Sequence, residues 1–293
     1  SSYFRRWRII DTRKCKRVST EKTLSIEEFR LFQQLIYDEI GISLADHKRT
    51  LVQSRLRKWI AEFKLDNYQE LYHKIEQDTG GQMLMLLVNA ITTNVTSFFR
   101  EESQWIYLQE HVNEVFDSKS KRIRIWSAAC SSGQEPYSII MFLMEHLDNF
   151  KSWDIKILAT DISEDILEKA IKGVYTLKDV EGMPKNMLLK YFNGVNDKNG
   201  NKLFVIKDEL KQYITFRGFN LVTGNFSIFK NKFDSIFCRN VMIYFDRPTQ
   251  NQLIGRFAKL LDKNSRLFIG HSESIQQKED TYKMVIPSIY RLK

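Results

Sequence analysis

At 293 residues the chain exceeds the usual size of one domain, which sets the expectation of a catalytic domain with a smaller companion. With 43% hydrophobic and 28% charged residues it reads as globular, and its longest apolar run, residues 83–88, is far too short to insert across a bilayer. A net charge of +9 asks for an acidic partner, while three scattered cysteines, Cys15, Cys130 and Cys238, argue against a disulfide framework or a zinc site and for a reducing, cytoplasmic compartment.

Residues 1–23 form a basic tail carrying Arg5, Arg6, Arg8, Arg13, Lys14, Lys16 and Arg17, and no signal-peptide pattern is visible in it. Residues 24–92 read as an all-helical domain. Ile26, Phe29, Leu31, Phe32, Leu35 and Ile36 recur at helical spacing, as do Leu51, Leu56, Trp59, Ile60 and Phe63, with breaks at Gly41 and Gly80-Gly81. Much of the positive excess lies before residue 65, in the tail and then on Lys48, Arg49, Arg55, Arg57 and Lys58. Spacings of three and four residues, such as Leu51 with Arg55, put apolar and cationic groups within reach of a partner helix, although a solvated charged face is the simpler reading.

From residue 93 to residue 293 the pattern changes to strands alternating with helices: 122–126, 155–160, 214–219, 235–238 and 266–270. That alternation implies a mostly parallel α/β sheet. Between about residues 188 and 213 the rhythm breaks. Two β-prone runs, 191–195 and 202–206, flank Asn196-Asp197-Lys198-Asn199-Gly200, whose Asn-Gly chemistry makes a hairpin inserted in the sheet domain.

The segment 124–138, RIWSAACSSGQEPYS, carries the most information. A short apolar strand ends in small residues, and Gln134-Glu135-Pro136 opens a helix, so a ligand can lie close to the backbone of the bend. A second strand ends in Asp161, an acid placed to accept ribose hydroxyls. The bend has one glycine where a dinucleotide site shows three, and no Gly-Lys-Ser/Thr follows, which disfavours a pyrophosphate. Glu135 points the same way, because a carboxylate repels phosphate and attracts a cation. S-adenosylmethionine, a cationic nucleoside without phosphate, fits these features.

Four strings resemble the CheR family of chemotaxis-receptor methyltransferases in order: residues 94–100 (NVTSFFR), 127–138 (SAACSSGQEPYS), 237–245 (FCRNVMIYF) and 270–273 (GHSE). The resemblance covers about residues 24–290. It implies a Rossmann-like S-adenosylmethionine-dependent methyltransferase sheet with an N-terminal all-helical domain and a small β-hairpin insertion that docks on the receptor. The implied reaction is methylation of glutamates on the cytoplasmic helices of chemoreceptors. By position, Asn94, Thr96, Arg100 and Glu135 would surround the methionine part, Asp161 the ribose, and Asn220 with Leu221 the adenine edge. Arg239 and Asn240 would close the site from below. The run Ser131-Ser132-Gly133-Gln134 departs from the Ser-Thr-Gly-Glu of relatives, which removes a carboxylate at position 134.

Within that resemblance Arg100 is expected to grip the acceptor carboxylate bidentately, with Tyr244 as its second contact. No general base is expected, so His271 is left without a catalytic role, and His47, His73, His111 and His146 fit no metal spacing. A nucleic-acid methyltransferase would explain the charge, but neither an Asn/Asp-Pro-Pro-Tyr string nor a Pro-Cys nucleophile occurs. A non-catalytic receptor-binding module is opposed by the intact Arg100, Glu135, Asp161 and Tyr244.

Overall fold

A computed structural model of the chain describes residues 23–92, 95–117, 119–275 and 281–293. The basic tail, Cys15 within it, and Asn94 lie outside the described residues, residue 23 excepted. Two compact units meet in sequence between Asn94 and Val95.

Helix α1 (Ile26–Ile40) of the first unit starts at a reciprocal capping box. The Ser25 hydroxyl accepts from Glu28 N at 3.1 Å, and Glu28 Oε2 accepts from Ser25 N at 2.9 Å. It ends at Gly41, whose φ of 78° is the left-handed cap that glycine adopts cheaply. Helices α2 (Arg49–Glu62), α3 (Tyr68–Glu76) and α4 (Gln82–Ile91) follow. Phe29, Phe32, Ile36, Val52, Leu56, Ile60, Leu71 and Leu87 are buried. In α2 the buried Val52, Leu56 and Ile60 fall four residues apart, so Leu51, about 100° round the helix from Val52, is 37% exposed rather than inside. Leu51, Arg55 and Lys58 thereby form one outward stripe, whereas Arg57 hydrogen-bonds the Tyr68 hydroxyl.

The second unit begins with α5 (Glu102–Glu110), α6 (Val112–Val115), β1 (Arg122–Ala128), α7 (Gln134–His146), β2 (Asp154–Asp161) and α8 (Glu164–Lys172). There follow β3 (Val174–Thr176), α9 (Lys185–Tyr191), β4 (Phe192–Asn196), β5 (Lys202–Ile206), α10 (Asp208–Lys211) and β6 (Ile214–Gly218). The last elements are β7 (Phe233–Cys238), α11 (Arg247–Lys259), β8 (Leu261–Ile269), β9 (Tyr282–Ile286) and β10 (Ile289–Leu292).

Seven strands make the main sheet in the order β6-β2-β1-β7-β8-β10-β9. The pairs from β6 to β8 are parallel, and β10 and β9 are antiparallel additions at one edge. Residues 134–143 of α7 are all buried, as expected of a helix enclosed by protein on every side. Trp126 on β1 donates its indole N–H to Thr160 Oγ1 at 2.9 Å, and five phenylalanine rings, Phe219, Phe226, Phe229, Phe233 and Phe257, lie 4.6 to 5.8 Å from its centroid. From β1 the chain builds outward to β2 and β6, then returns to add β7 and β8 on the other side. The β1/β7 boundary is therefore the switch point, where ligands of open parallel sheets bind beyond the carboxyl ends of the strands.

The expected hairpin is present: β4 and β5 pair with Asn196 opposite Lys202. It belongs to a larger device, however, because β3 pairs antiparallel with the other side of β5, giving a separate sheet in the order β3-β5-β4. The insertion thus starts near Val174 rather than at 188. A strand of three residues is too short to show a period of two in the sequence.

Candidate active site

The bend between β1 and α7 is built from left-handed residues: Ala129 (φ 67°), Ser131 (φ 50°) and Gly133 (φ 94°). At Gly133 a Cβ would sit 2.9 Å from Ala170 Cβ and 3.1 Å from the Tyr175 hydroxyl oxygen, so both the backbone conformation and the space demand glycine. The bend is held to the end of β2. Cys130 N donates to Thr160 O at 2.8 Å, and Asp161 accepts from Ser131 N at 2.9 Å and Ser163 N at 3.1 Å. Burial pushes the Asp161 carboxyl above its ordinary range, and the N–H groups of Ser163, Ser131 and Ile162 hold it back only in part.

Across the switch point lies a buried ionic cluster. Glu135, in the first turn of α7, accepts from Ser127 Oγ at 2.6 Å and from Arg239 Nε, just beyond β7, at 2.7 Å. Arg239 also donates to Arg100 O at 2.7 Å and to Gln104 Oε1 at 3.1 Å, and its Nη1 lies 3.7 Å from Glu101 Oε2. Glu101 Oε1 accepts from His271 N at 2.9 Å and Asn240 Nδ2 at 3.3 Å, leaving Oε2 buried without a hydrogen-bond donor among the described residues. Two carboxylates therefore share one guanidinium, and the cluster carries excess negative charge in a poorly solvated place.

Beside it, Glu273 gathers backbone N–H groups from Gly270 (2.6 Å), Asn240 (2.9 Å) and Ile243 (3.2 Å). Burial raises its pKa despite these bonds. The carboxylate thus caps the 3₁₀ turn at Met242–Tyr244, which has no side-chain cap of its own, and fixes Asn240 at φ 58°.

Most of the expected site residues lie at or just past the carboxyl ends of β1, β2, β6 and β7. Glu135 is paired inside the protein, each of its oxygens accepting one bond, from Ser127 Oγ and from Arg239 Nε. Arg100 contributes its carbonyl to Arg239, while its Nη1 donates to Val95 O at 2.9 Å. Thr96 is half-buried in the same segment, and Asn94 is outside the described residues. Asn220 follows β6, whose Gly218 pairs with Asp161, and its Oδ1 accepts from Val222 N at 2.8 Å and Thr223 N at 3.1 Å. Leu221 is buried, and its carbonyl accepts from Arg256 Nη1 at 3.2 Å. Tyr244 is half-buried on the 3₁₀ turn.

Glu101, Gln104, Ser127 and Glu273 escaped sequence reasoning. Glu101 follows the 94–100 string directly and Glu273 ends the GHSE string, so one stood beside a recognised motif and the other inside one, both without a role. Cys130 and Cys238 are buried, and burial, then neighbouring carboxylates, pushes both thiols far up, so neither offers a thiolate. Among the described residues no cluster of His, Cys, Asp and Glu is placed to hold a metal ion, and no helix is long and apolar enough to cross a membrane.

A switch point that lacks a phosphate-binding glycine pattern, concentrates buried acids and ends its second strand in Asp161 suits a cationic nucleoside. The class it defines is the S-adenosylmethionine-dependent methyltransferase. Comparison with protein families narrows this: residues 94–290 match the CheR methyltransferase SAM-binding domain, and residues 27–92 match the CheR methyltransferase all-alpha domain. The chain belongs to the CheR methyltransferase family. It is 38% identical to the chemotaxis protein methyltransferase of Borreliella burgdorferi over 90% of this chain and 94% of that one. It is 36% identical to the Escherichia coli chemotaxis protein methyltransferase over 92% of both, and 40% identical to a probable chemotaxis protein methyltransferase of Rhizobium etli over 82% of this chain and 90% of that one. The chain is accordingly a methyltransferase of chemotaxis that uses S-adenosylmethionine.

Proposed function

We propose that the reaction is methyl esterification of glutamate side chains on the cytoplasmic helices of chemoreceptors, and that it takes place in the cytoplasm. One observation carries this reading: the segment bearing Arg100 is bonded through its carbonyl to Arg239, and so to the acid cluster at the switch point. An arginine side chain and the cofactor crevice therefore share one rigid support.

Bound S-adenosylmethionine supplies an electrophilic methyl group on a sulfonium centre. A glutamate carboxylate, with an unperturbed pKa of about 4.3, is already ionised at neutral pH, so the protein has no proton to remove. Its task is to aim an anion along the line of displacement and to keep water out. Arg100 suits the first role, since a guanidinium grips a carboxylate with two parallel bonds and keeps its charge at any physiological pH. Tyr244, held by the cap at Glu273, adds a hydroxyl beyond β7.

On the cofactor side, Asp161 accepts from ribose hydroxyls, Thr96 lines the methionine part, and Asn220 with Leu221 borders the adenine. Arg239 and Asn240 close the floor, where Glu135 holds the guanidinium in place. The acid excess around Glu101 Oε2 favours a positive ligand.

Two surfaces suit the receptor. The outward stripe of α2, with Leu51, Arg55 and Lys58, and with Lys48, Arg49 and Arg57 nearby, matches an acidic amphipathic helix. Strand β4 is an outer edge of the small sheet, and a receptor peptide added to it as a strand would raise the local substrate concentration to about millimolar. The test is transfer of tritiated methyl from S-adenosylmethionine to receptor cytoplasmic fragments, with RNA and DNA in parallel. Base-labile label on receptor glutamates is expected. Label on nucleic acid, or none anywhere despite cofactor binding, would overturn the proposal.

A further inference from the structure

The small sheet reaches the cofactor bend directly. Tyr175, the middle residue of β3, is 3% exposed and donates its hydroxyl to Ser132 O at 2.8 Å, inside the bend that precedes α7. Its hydroxyl oxygen is also one of the atoms that would collide with a Cβ on Gly133. The same ring meets Phe98 edge to face at 4.9 Å, and Phe192 of β4 meets Phe98 at 5.4 Å. Phe98 stands between Thr96 and Arg100, and the next residue, Phe99, donates its N–H to Ser138 Oγ on α7 at 2.9 Å.

Two separate site segments, the bend and the Arg100 segment, thus rest on side chains of one inserted sheet. Neither contact is needed to hold that sheet together, since β3 is already paired with β5 through Val174, Tyr175 and Thr176. A peripheral docking module would show a solvated seam here. Instead there is a hydrogen bond from a buried phenol to a backbone carbonyl and an edge-to-face aromatic group.

We propose that Tyr175 is a positioning residue for the cofactor site: by bonding Ser132 O it fixes the curvature of the Ser131-Ser132-Gly133 bend and makes the small sheet one wall of the catalytic crevice. This rests on the reading of that bend as the place where S-adenosylmethionine binds. The phenol suits the role because burial keeps it protonated, hence a donor, throughout the working pH range. Phe98 relays the same support to Arg100. Occupation of the small sheet by a receptor segment therefore bears on the cofactor crevice as well as on tethering.

Tyr175→Phe removes one hydroxyl and leaves the ring. Calorimetry with S-adenosylhomocysteine should show binding weakened about fivefold, the equivalent of a hydrogen bond near 1 kcal/mol. The KM for S-adenosylmethionine should rise while that for receptor fragments stays put. Amide hydrogen exchange without ligand provides a second readout: residues 131–135 should exchange faster in the variant, with β8 unchanged. Phe98→Leu should lower kcat more than it weakens S-adenosylhomocysteine. Unchanged exchange at the bend, or unchanged affinity in a variant as stable as the parent, would overturn the proposal. If the parent protein failed to bind S-adenosylhomocysteine, the assignment of the bend would fall, while the exchange result would still decide whether Tyr175 holds it.

Discussion

Replacing Glu135 tests the ionic cluster at its centre. Its side chain is 10% exposed and that of Arg239 only 3%, so the pair is shielded from the solvent that makes surface ion pairs nearly worthless. Glu135→Ala removes a charge-assisted bond to Arg239 and the acceptor of Ser127 Oγ, and strands a buried guanidinium with Glu101 Oε2 still 3.7 Å away. Removing one partner of such a pair costs about 3–5 kcal/mol. Glu135→Gln keeps one oxygen for Arg239, and its amide can donate to the Ser127 hydroxyl, which rotates to accept. Its cost is mainly the lost charge, about 1.5–3 kcal/mol. Urea unfolding of both variants gives the stabilities, and calorimetry with S-adenosylhomocysteine gives the functional loss, expected to be at least tenfold for alanine. If both variants unfolded within about 0.5 kcal/mol of the parent and bound S-adenosylhomocysteine equally well, the pair would not organise the site.

Gly133→Ala should destabilise by about 1–3 kcal/mol, since φ is 94° and the added methyl meets Ala170 and Tyr175, and should also weaken cofactor binding; thermal unfolding and calorimetry measure both. Arg100→Ala should lose most turnover in the label-transfer assay while keeping S-adenosylhomocysteine affinity within about tenfold, or 1.4 kcal/mol. Burial raises the carboxyls of Asp161 and Glu273, so the folded protein takes up protons on them at a pH where the unfolded chain does not. Their contribution to stability therefore increases as pH falls through those raised values, while cofactor affinity declines because protonated Asp161 loses an acceptor for ribose. Titrating affinity against pH in the parent and in Asp161→Asn should show that acidic decline in the parent and none from this position in the variant.

The strand, bend and helix of residues 122–146 were legible because apolar periodicity changes sharply at a run of small residues, and Asp161 because it ends a strand. The hairpin was legible from Asn199-Gly200, where Gly200 takes φ 82°. What the sequence hides is long-range pairing. Arg239 and Glu135 are 104 residues apart, and nothing local marks them as partners, so the pairing is invisible in the sequence. Strands β9 and β10 are short, β9 at the sheet edge and β10 beside it, and their burial shows no clear alternation. Tyr175 sits on a strand of three residues, and its bond to Ser132 O spans 43 residues, so its place beside the bend follows only from the fold.

The most direct measurement is a crystal structure with S-adenosylhomocysteine bound. The expected density lies beyond the carboxyl ends of β1 and β2, with ribose hydroxyls on Asp161, the amino-acid end near the Glu135–Arg239 pair and the sulfur facing Arg100. Ligand seated elsewhere, or a crevice left empty at saturating concentration, would contradict the assignment.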